Sequence, residues 1–178
     1  MKACVVFDTR YGNTEKIARS LETGLRSAQV ETACLNEKDA SPSILKQYDL
    51  ICIGGPTHYR TASEQMQGFL QSLEGTDLSG KLTFAFDTRR DSFFAGSASK
   101  YIEGRLRALG SKVVIQRMSA IVLDSEPAGG KRDSESKEDW KERRHRTATL
   151  REGEEKKFEL VGSKIGTALS AKSPPPSE

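Results

Sequence analysis

Hydrophobic residues in the first 122 positions follow two alternating spacings, and this alternation predicts the fold. Continuous apolar runs, typical of buried strands, occupy residues 2–7, 30–35, 50–54, 82–86 and 112–122. Between them, apolar residues recur every three or four positions over residues 13–28, 43–47, 62–73 and 96–109, as on one face of a helix. Strands that alternate with helices predict an α/β protein whose parallel sheet of five strands carries helices on both faces.

The pattern changes after Leu123. Residues 124–151 are dominated by charged side chains, with Trp140 as the only large aromatic, and we interpret them as a surface insertion with a short helix over residues 135–145. Helical spacing returns over residues 152–170. We therefore expect one domain over residues 1–170 with a charged insertion at about 124–151. Residues 171–178, with three consecutive prolines, are expected to be a disordered tail.

Composition narrows the class of protein further. The net charge of +3 comes from 28 basic and 25 acidic residues, a balance that does not favour nucleic-acid binding. No apolar run approaches the roughly 20 residues that span a bilayer, and the N-terminus shows no signal-peptide pattern. Cys4, Cys34 and Cys52 lie in or beside apolar runs, as reduced and buried thiols do. A cytoplasmic protein without a membrane span is expected.

The segment from Asp8 to Thr14 carries the clearest chemical signal. It joins the first apolar run directly to the first helical pattern through a turn rich in glycine and hydroxyl residues. Such a turn presents backbone N–H groups at the positive end of the helix dipole, which favours an anion. The segment lacks the lysine of a Gly-Lys-Ser/Thr loop, so a terminal phosphate monoester fits better than a nucleoside triphosphate. The competing interpretation is an ordinary capped helix start.

Two further loops follow the third and fourth predicted strands. One reads Gly-Gly-Pro-Thr-His-Tyr over residues 54–59, and the other begins at Asp87 and leads into a helix start at Ser97. Ligands of open parallel sheets bind beyond the carboxyl ends of the strands. An anion site, an aromatic platform and a polar loop at one edge predict a site for a flat heterocycle that carries a phosphate, which describes FMN.

Two of these loops resemble a known family. The sequence Thr-Arg-Tyr-Gly-Asn-Thr at residues 9–14 resembles the phosphate loop of flavodoxins. Residues 56–59, followed by Gln-Met-Gln-Gly-Phe-Leu at 65–70, are similar to flavodoxin-like NAD(P)H:quinone reductases. The resemblance covers the chain apart from the insertion and the tail. It implies a flavodoxin-like three-layer sandwich with strand order 2-1-3-4-5 and FMN as the cofactor.

The resemblance also implies a role for each loop. The flavin phosphate would be held by Thr9, Arg10, Tyr11, Gly12, Asn13 and Thr14. The isoalloxazine ring would be lined by Pro56, Thr57, His58 and Tyr59, and its pyrimidine edge faced by Asp87, Thr88, Arg89, Arg90, Asp91 and Ser92. Three departures stand out. Tyr11 replaces the usual threonine, as in the quinone reductases. The third loop carries Arg89 and Arg90 in place of a glycine- and aromatic-rich sequence with acidic neighbours, and the charged insertion has no counterpart in the family. The aromatic and arginine pairs also fit ordinary surface positions.

Three functions remain open from the sequence. The protein is an electron carrier between protein partners, an enzyme that passes hydride from NAD(P)H through FMN to a quinone-like acceptor, or a flavodoxin-fold domain that binds flavin weakly. A homo-oligomer is compatible with each of them. The insertion is either a variable surface loop or a lid or docking element near the flavin. In the second case Arg143, Arg144 and Arg146 would steer an acidic partner or a nucleotide phosphate.

Overall fold

A mostly parallel sheet between two layers of helices organises the chain. The computed structural model describes residues 1–92, 94–124 and 134–171. Its strands are β1 (Lys2–Phe7), β2 (Glu31–Asn36), β3 (Leu50–His58), β4 (Thr61–Ala62), β5 (Leu82–Arg90), β6 (Lys112–Val113), β7 (Met118–Leu123) and β8 (Thr149–Leu150). Its helices are α1 (Asn13–Ser27), α2 (Pro42–Leu45), α3 (Glu64–Ser72), α4 (Ala98–Ala108), α5 (Lys137–Arg146) and α6 (Glu154–Ser170).

The sheet order confirms the predicted topology. Strands β2, β1, β3, β5 and β7 lie side by side and parallel, which is the expected order 2-1-3-4-5. Strand β8 extends the sheet antiparallel to β7, and β4 forms a short antiparallel pair with the end of β3. The described part of the insertion thus contributes one helix and one edge strand. The single-domain assignment stays a prediction, and all but the first residue of the expected tail lies outside the described residues.

The strand count differs from the prediction because the fifth predicted strand divides in two. Val113 pairs with Thr83, and Met118 pairs with Phe86. The segment that joins β6 to β7 therefore has two more residues than the stretch of β5 between these two pairs. The extra residues leave the ladder as a bulge, and pairing resumes with β7. Gln116 and Arg117 break the apolar pattern at this point, and the prediction of a single strand over residues 112–122 passed over this polar pair.

Strands β3 and β5 are longer than predicted. The parallel ladder between them continues through Gly55 with Asp87 and Pro56 with Thr88. Residues expected to form loops therefore form the ends of these strands. Glycine, proline and aspartate disfavour strands locally, but here the pairing with a neighbouring strand prevails over that local preference.

The hydrophobic core forms two layers, one on each face of the sheet. Alternate residues of β1 supply both: Ala3, Val5 and Phe7 pack towards α1 and α6, while Cys4 and Val6 pack towards α3 and α4. This division confirms the three-layer sandwich. The sheet edge with the carboxyl ends of the strands stays clear of the main helix layers, and the predicted binding loops lie there.

Two predictions from composition can be compared with the structure. Within the described residues, no helix is long and apolar enough to span a bilayer. Cys4 and Cys52 are buried, Cys34 is half-buried, and all three are free thiols. Burial raises the pKa of Cys4 and of Cys34 to about 12, and it raises the pKa of Cys52 as well. The thiols therefore stay protonated near neutral pH, a state in which they are poor nucleophiles.

Candidate functional site

The phosphate loop predicted from the sequence forms an open helix start. Gly12 precedes α1 with φ of 84°, and its N–H donates to Thr9 Oγ1 at 3.0 Å. The first helical hydrogen bond runs from the Lys16 N–H to the Gly12 carbonyl. In the part of the chain that the structure describes, no protein group accepts from the N–H groups of residues 13–15. An anion placed there would satisfy them.

A second hydroxyl group lies beside this loop. Thr14 Oγ1 and Thr88 Oγ1, both buried, are 2.8 Å apart. The resemblance implies that Thr88 faces the pyrimidine edge of the flavin, whereas the structure brings it to the phosphate loop. The reason is that β5 runs on past its predicted end, so Thr88 lies within the strand rather than in a free loop.

The second loop ends in a strained turn with exposed aromatic surface. Tyr59 and Arg60 have φ values of 45° and 72°, a region that residues with a side chain rarely adopt. The rings of His58 and Tyr59 lie 4.3 Å apart, and Tyr59 is 88% exposed. Strained turns of this kind cluster where ligands are held. The Tyr59 ring is therefore accessible, and its role as an aromatic platform stays a prediction.

Asp87 links the second and third loops from inside the protein. Its carboxylate is fully buried and accepts hydrogen bonds from Ser97 Oγ and the Ser99 N–H, each at 2.9 Å. Thr57 Oγ1 also donates to it at 3.3 Å and accepts from the Ala98 N–H at 3.0 Å. That Asp87 faces the flavin edge and that Thr57 lines the ring both stay predictions. Both groups hold the β3 and β5 ends to the start of α4.

Arg89 and Gly96 of the third loop connect it to the residue that follows the second loop. Arg89 donates to the Gly96 carbonyl at 3.0 Å, and Gly96 in turn bridges to Arg60, which follows the second loop. Phe94 is 70% exposed on this same loop. Phe94 is not among the predicted site residues, although an aromatic residue after a strand end is a usable signal. The bridge joins two loops that both expose aromatic side chains.

The insertion helix α5 lies against the phosphate loop. Glu142 accepts from Arg10 Nη2 at 3.0 Å and from the Tyr11 hydroxyl. Two residues beyond the end of α5, the Ala148 carbonyl accepts from Asn13 Nδ2 at 2.9 Å. His145 contacts the Arg90 guanidinium at 2.8 Å. No sequence signal identifies these contacts, because they join positions that are far apart along the chain.

Charged side chains around α5 are mostly paired within the protein. Arg143 pairs with Glu135 at 2.7 Å, and Arg144 pairs with Asp124 at 3.3 Å while lying over the Trp140 ring. Two of the three arginines expected to steer a partner are thus already engaged. Asp91 and Ser92, predicted to face the flavin, are exposed; Asp91 pairs with Arg151 at 3.3 Å, and the Ser92 hydroxyl accepts from the Phe94 N–H.

The sheet order and these loops define a doubly wound α/β protein with a mononucleotide-type site at the carboxyl edge of its sheet. The model of the flavodoxin family matches residues 5–146, and the chain belongs to that family. Flavodoxins use FMN to transfer electrons to redox partners, and FMN is the cofactor of this chain. The open start of α1 and the exposed aromatic loops fit its phosphate and its flat ring.

The similar curated proteins include both flavodoxins and an NAD(P)H dehydrogenase (quinone). A flavodoxin of Clostridium saccharobutylicum is 30% identical over 89 residues, which cover 49% of this chain and 56% of the relative. An NAD(P)H dehydrogenase (quinone) of Rhizobium rhizogenes is 27% identical over 120 residues, covering 56% and 58%. The chain spans about half the length of these curated relatives.

Solved structures agree on the architecture. Flavodoxin 1 from Bacillus cereus superimposes with a TM-score of 0.72 at 20% identity, covering 93% of this chain and 97% of that one. A flavodoxin from the domain Archaea gives a TM-score of 0.69 at 21% identity, covering 96% and 99%. At such identities the likeness shows the fold, and the roles of individual residues need their own argument.

Proposed function

We propose that this protein is an electron carrier that holds FMN across the three loops at the carboxyl edge of its sheet. The observation that carries the proposal is the uncapped first turn of α1, whose N–H groups have no acceptor among the described residues. Bound FMN supplies the redox chemistry, and the protein binds and orients it. No side chain in the described site is needed as an acid, base or nucleophile.

The two ends of the site bind different parts of the cofactor in this proposal. At one end, the N–H groups of Asn13 and Thr14, together with the hydroxyls of Thr14 and Thr88, bind the phosphate. At the other end, Tyr59 and Phe94 cover the two faces of the isoalloxazine ring, since both are exposed on loops joined by the bridge from Arg60 to Gly96. The ring edge remains near the surface, where a partner protein can reach it.

The second candidate is an NAD(P)H-dependent quinone reductase. Tyr11 in the phosphate loop and the similarity to an NAD(P)H dehydrogenase (quinone) favour it. The carrier is preferred because the flavodoxin family model matches residues 5–146, whereas the quinone dehydrogenase is 27% identical over 56% of this chain. The third possibility, weak flavin binding, is distinguished by affinity alone.

One experiment separates the three functions. Flavin-free protein is titrated with FMN, and the loaded protein is then mixed anaerobically with NADH or NADPH while its visible spectrum is recorded. Tight binding with stepwise one-electron reduction by a chemical reductant, and no reaction with either nucleotide, supports the carrier. Rapid reduction by a nucleotide supports the enzyme, and no flavin uptake rejects both.

A matched pair of variants tests the placement of the ring. Tyr59→Ala should weaken FMN and riboflavin binding by a similar factor, because Tyr59 would contact only the ring that both flavins share. Leu160→Ala removes an exposed apolar side chain from α6 on another part of the surface and should leave both affinities unchanged. Equal behaviour of the two variants would contradict a ring contact at Tyr59.

A further inference from the structure

One face of the insertion region contacts both the phosphate loop and the end of β5. Glu142, His145 and Ala148 follow one another at intervals of three residues, which places them along one side of α5 and its continuation. They contact Arg10 and Tyr11, then Arg90, then Asn13. Helix α5 buries no residue of its own, so polar contacts of this kind hold it in place.

Glu142 is the negatively charged member of this face. Hydrogen bonding from the Tyr11 hydroxyl, aided by Arg10, holds the pKa of Glu142 below its usual range, so the carboxylate is ionised at neutral pH. It accepts hydrogen bonds from Nη2 of Arg10 and from the Tyr11 hydroxyl, two side-chain donors of the phosphate loop itself. A phosphate at the start of α1 would therefore have a second anion as its neighbour.

Two anions that share the same donors compete with each other. A dianionic phosphate forms strong charge-assisted hydrogen bonds with a guanidinium, but a carboxylate already bound there must be displaced or must remain and repel it. Both effects oppose phosphate binding, and neither affects a flavin that lacks the phosphate. Carboxylate and phosphate are thus alternative partners for one pair of donors.

We propose that Glu142 of the insertion helix competes with the flavin phosphate for Arg10 and Tyr11 and so determines how strongly the protein prefers FMN over riboflavin. This inference rests on the proposed function, because it requires that the loop at the start of α1 binds the phosphate. The insertion then weakens the hold on the phosphate and forms no part of the ring site.

The size of the effect follows from the exposure of the groups. The side chain of Arg10 is 53% exposed and that of Glu142 is 37% exposed, so solvent screens their interaction. We therefore expect Glu142→Gln, which keeps the shape and removes the charge, to tighten FMN binding by about three- to tenfold. Riboflavin affinity should change by less than about twofold, because riboflavin has no phosphate.

The test measures dissociation constants of FMN and riboflavin by flavin fluorescence with flavin-free protein. Glu138→Gln, an exposed position one turn earlier on α5, is the matched control and should leave both constants unchanged. The double variant Arg10→Gln/Glu142→Gln should lose most of the gain in FMN affinity, because one of the freed donors is then missing. Tighter FMN binding by Glu142→Gln, with riboflavin binding unchanged, identifies competition at the phosphate.

Other outcomes overturn the proposal. Unchanged or weaker FMN binding by Glu142→Gln would reject competition, and an equal change for both flavins would indicate that Glu142 only shapes the loop. Wild-type protein that binds neither flavin would reject the proposed function and this inference together. Wild-type protein that binds FMN, with Glu142→Gln indistinguishable from it, would reject the inference alone.

Discussion

Arg89 and Arg90 are neighbours on β5, but their guanidinium groups have different partners. Arg89 is half-buried and donates to the neutral Gly96 carbonyl at 3.0 Å. Arg90 forms an ion pair with Asp124 at 3.1 Å and contacts His145. The carboxylate offsets the positive charge of Arg90, whereas a carbonyl leaves the charge of Arg89 in place. Arg89 is therefore the stronger electrostatic influence on the site.

This difference predicts how the two arginines affect the bound cofactor. Reduction adds negative charge to the flavin, and a nearby cation stabilises it. Arg89→Gln should therefore lower the midpoint potential of the last one-electron step more than Arg90→Gln does. A potentiometric titration of FMN-loaded protein measures both, with Arg117→Gln, remote from the site, as the control. Equal shifts for the two variants would contradict the assignment.

His145 makes the docking of α5 sensitive to pH. Burial, and then the nearby Arg90, lower its pKa below the usual value, while Asp124 and Glu142 act in the opposite direction and Arg10 adds to the lowering. The docked form therefore binds a proton less readily than the unfolded form. The stability that neutral His145 gives to the docked form is then fully present above the ordinary pKa of 6.5. It is lost as the pH falls through the lowered value.

The expected result is weaker protection of the α5 amides from hydrogen exchange at about pH 5.5 than at about pH 7.5, after correction for intrinsic rates. His145→Asn keeps a polar neighbour for Arg90 but has no group that titrates in this range, so its protection should vary less with pH. Protection that depends on pH to the same extent in both proteins would assign the effect to other groups.

Helices α1 and α6 approach each other closely because glycines line their contact. A Cβ atom on Gly24 would overlap the backbone of Glu159, and one on Gly162 would overlap the backbone of Leu21. Backbone cannot yield as a flexible side chain can. This contact packs α6 against α1, whose first turn follows the phosphate loop, and so helps to fix the position of that loop.

Two alanine substitutions should therefore have opposite effects. Gly24→Ala should lower the free energy of unfolding by about 2 kcal/mol, because the added methyl forces the helices apart. Gly68→Ala lies on the exposed face of α3 with open space around it, and it should raise stability by about 0.5–1 kcal/mol through helix propensity. Urea unfolding of both variants checks the pair. A stable Gly24→Ala protein would show that the contact is not tight.

The elements differed in how far they could be predicted. The phosphate loop was predictable because strand, glycine turn and helix are adjacent in sequence, and the direction of backbone N–H groups follows from local geometry. The ends of β3 and β5 were not predictable, because Pro56 and Asp87 are residue types typical of loops and only their pairing with a neighbouring strand makes them part of the sheet. Asp87 becomes a buried anchor only because three donors from other segments meet it.

The whole molecule allows the insertion to be removed without breaking the sheet. Leu123 pairs with Thr149 in the antiparallel ladder between β7 and β8, so the two ends of the insertion already lie side by side. Deleting residues 126–147 would leave Asp124, Ser125 and Ala148 to connect these paired positions, which is a normal length for a hairpin loop.

We expect the shortened protein to fold and to keep FMN bound, because the phosphate loop and both aromatic loops remain. Its rate of electron exchange with a partner or with NAD(P)H should change, since α5 no longer covers the phosphate end. Stopped-flow kinetics and flavin titration measure the two properties separately. Loss of FMN would show that the insertion forms part of the site. Unchanged kinetics would show that the insertion has no role in electron exchange.

The sequence alone determined the alternation of strands and helices and the loop at the start of α1, since these follow from apolar spacing and local backbone geometry, and the resemblance to flavodoxins implied the sheet order. Tertiary structure alone decided which distant groups meet there. Thr14 meets Thr88 across 74 positions and Arg10 meets Glu142 across 132. Helix α5 buries no apolar face, so no hydrophobic pattern could indicate where it docks; only the folded chain brings its carboxylate to the phosphate loop.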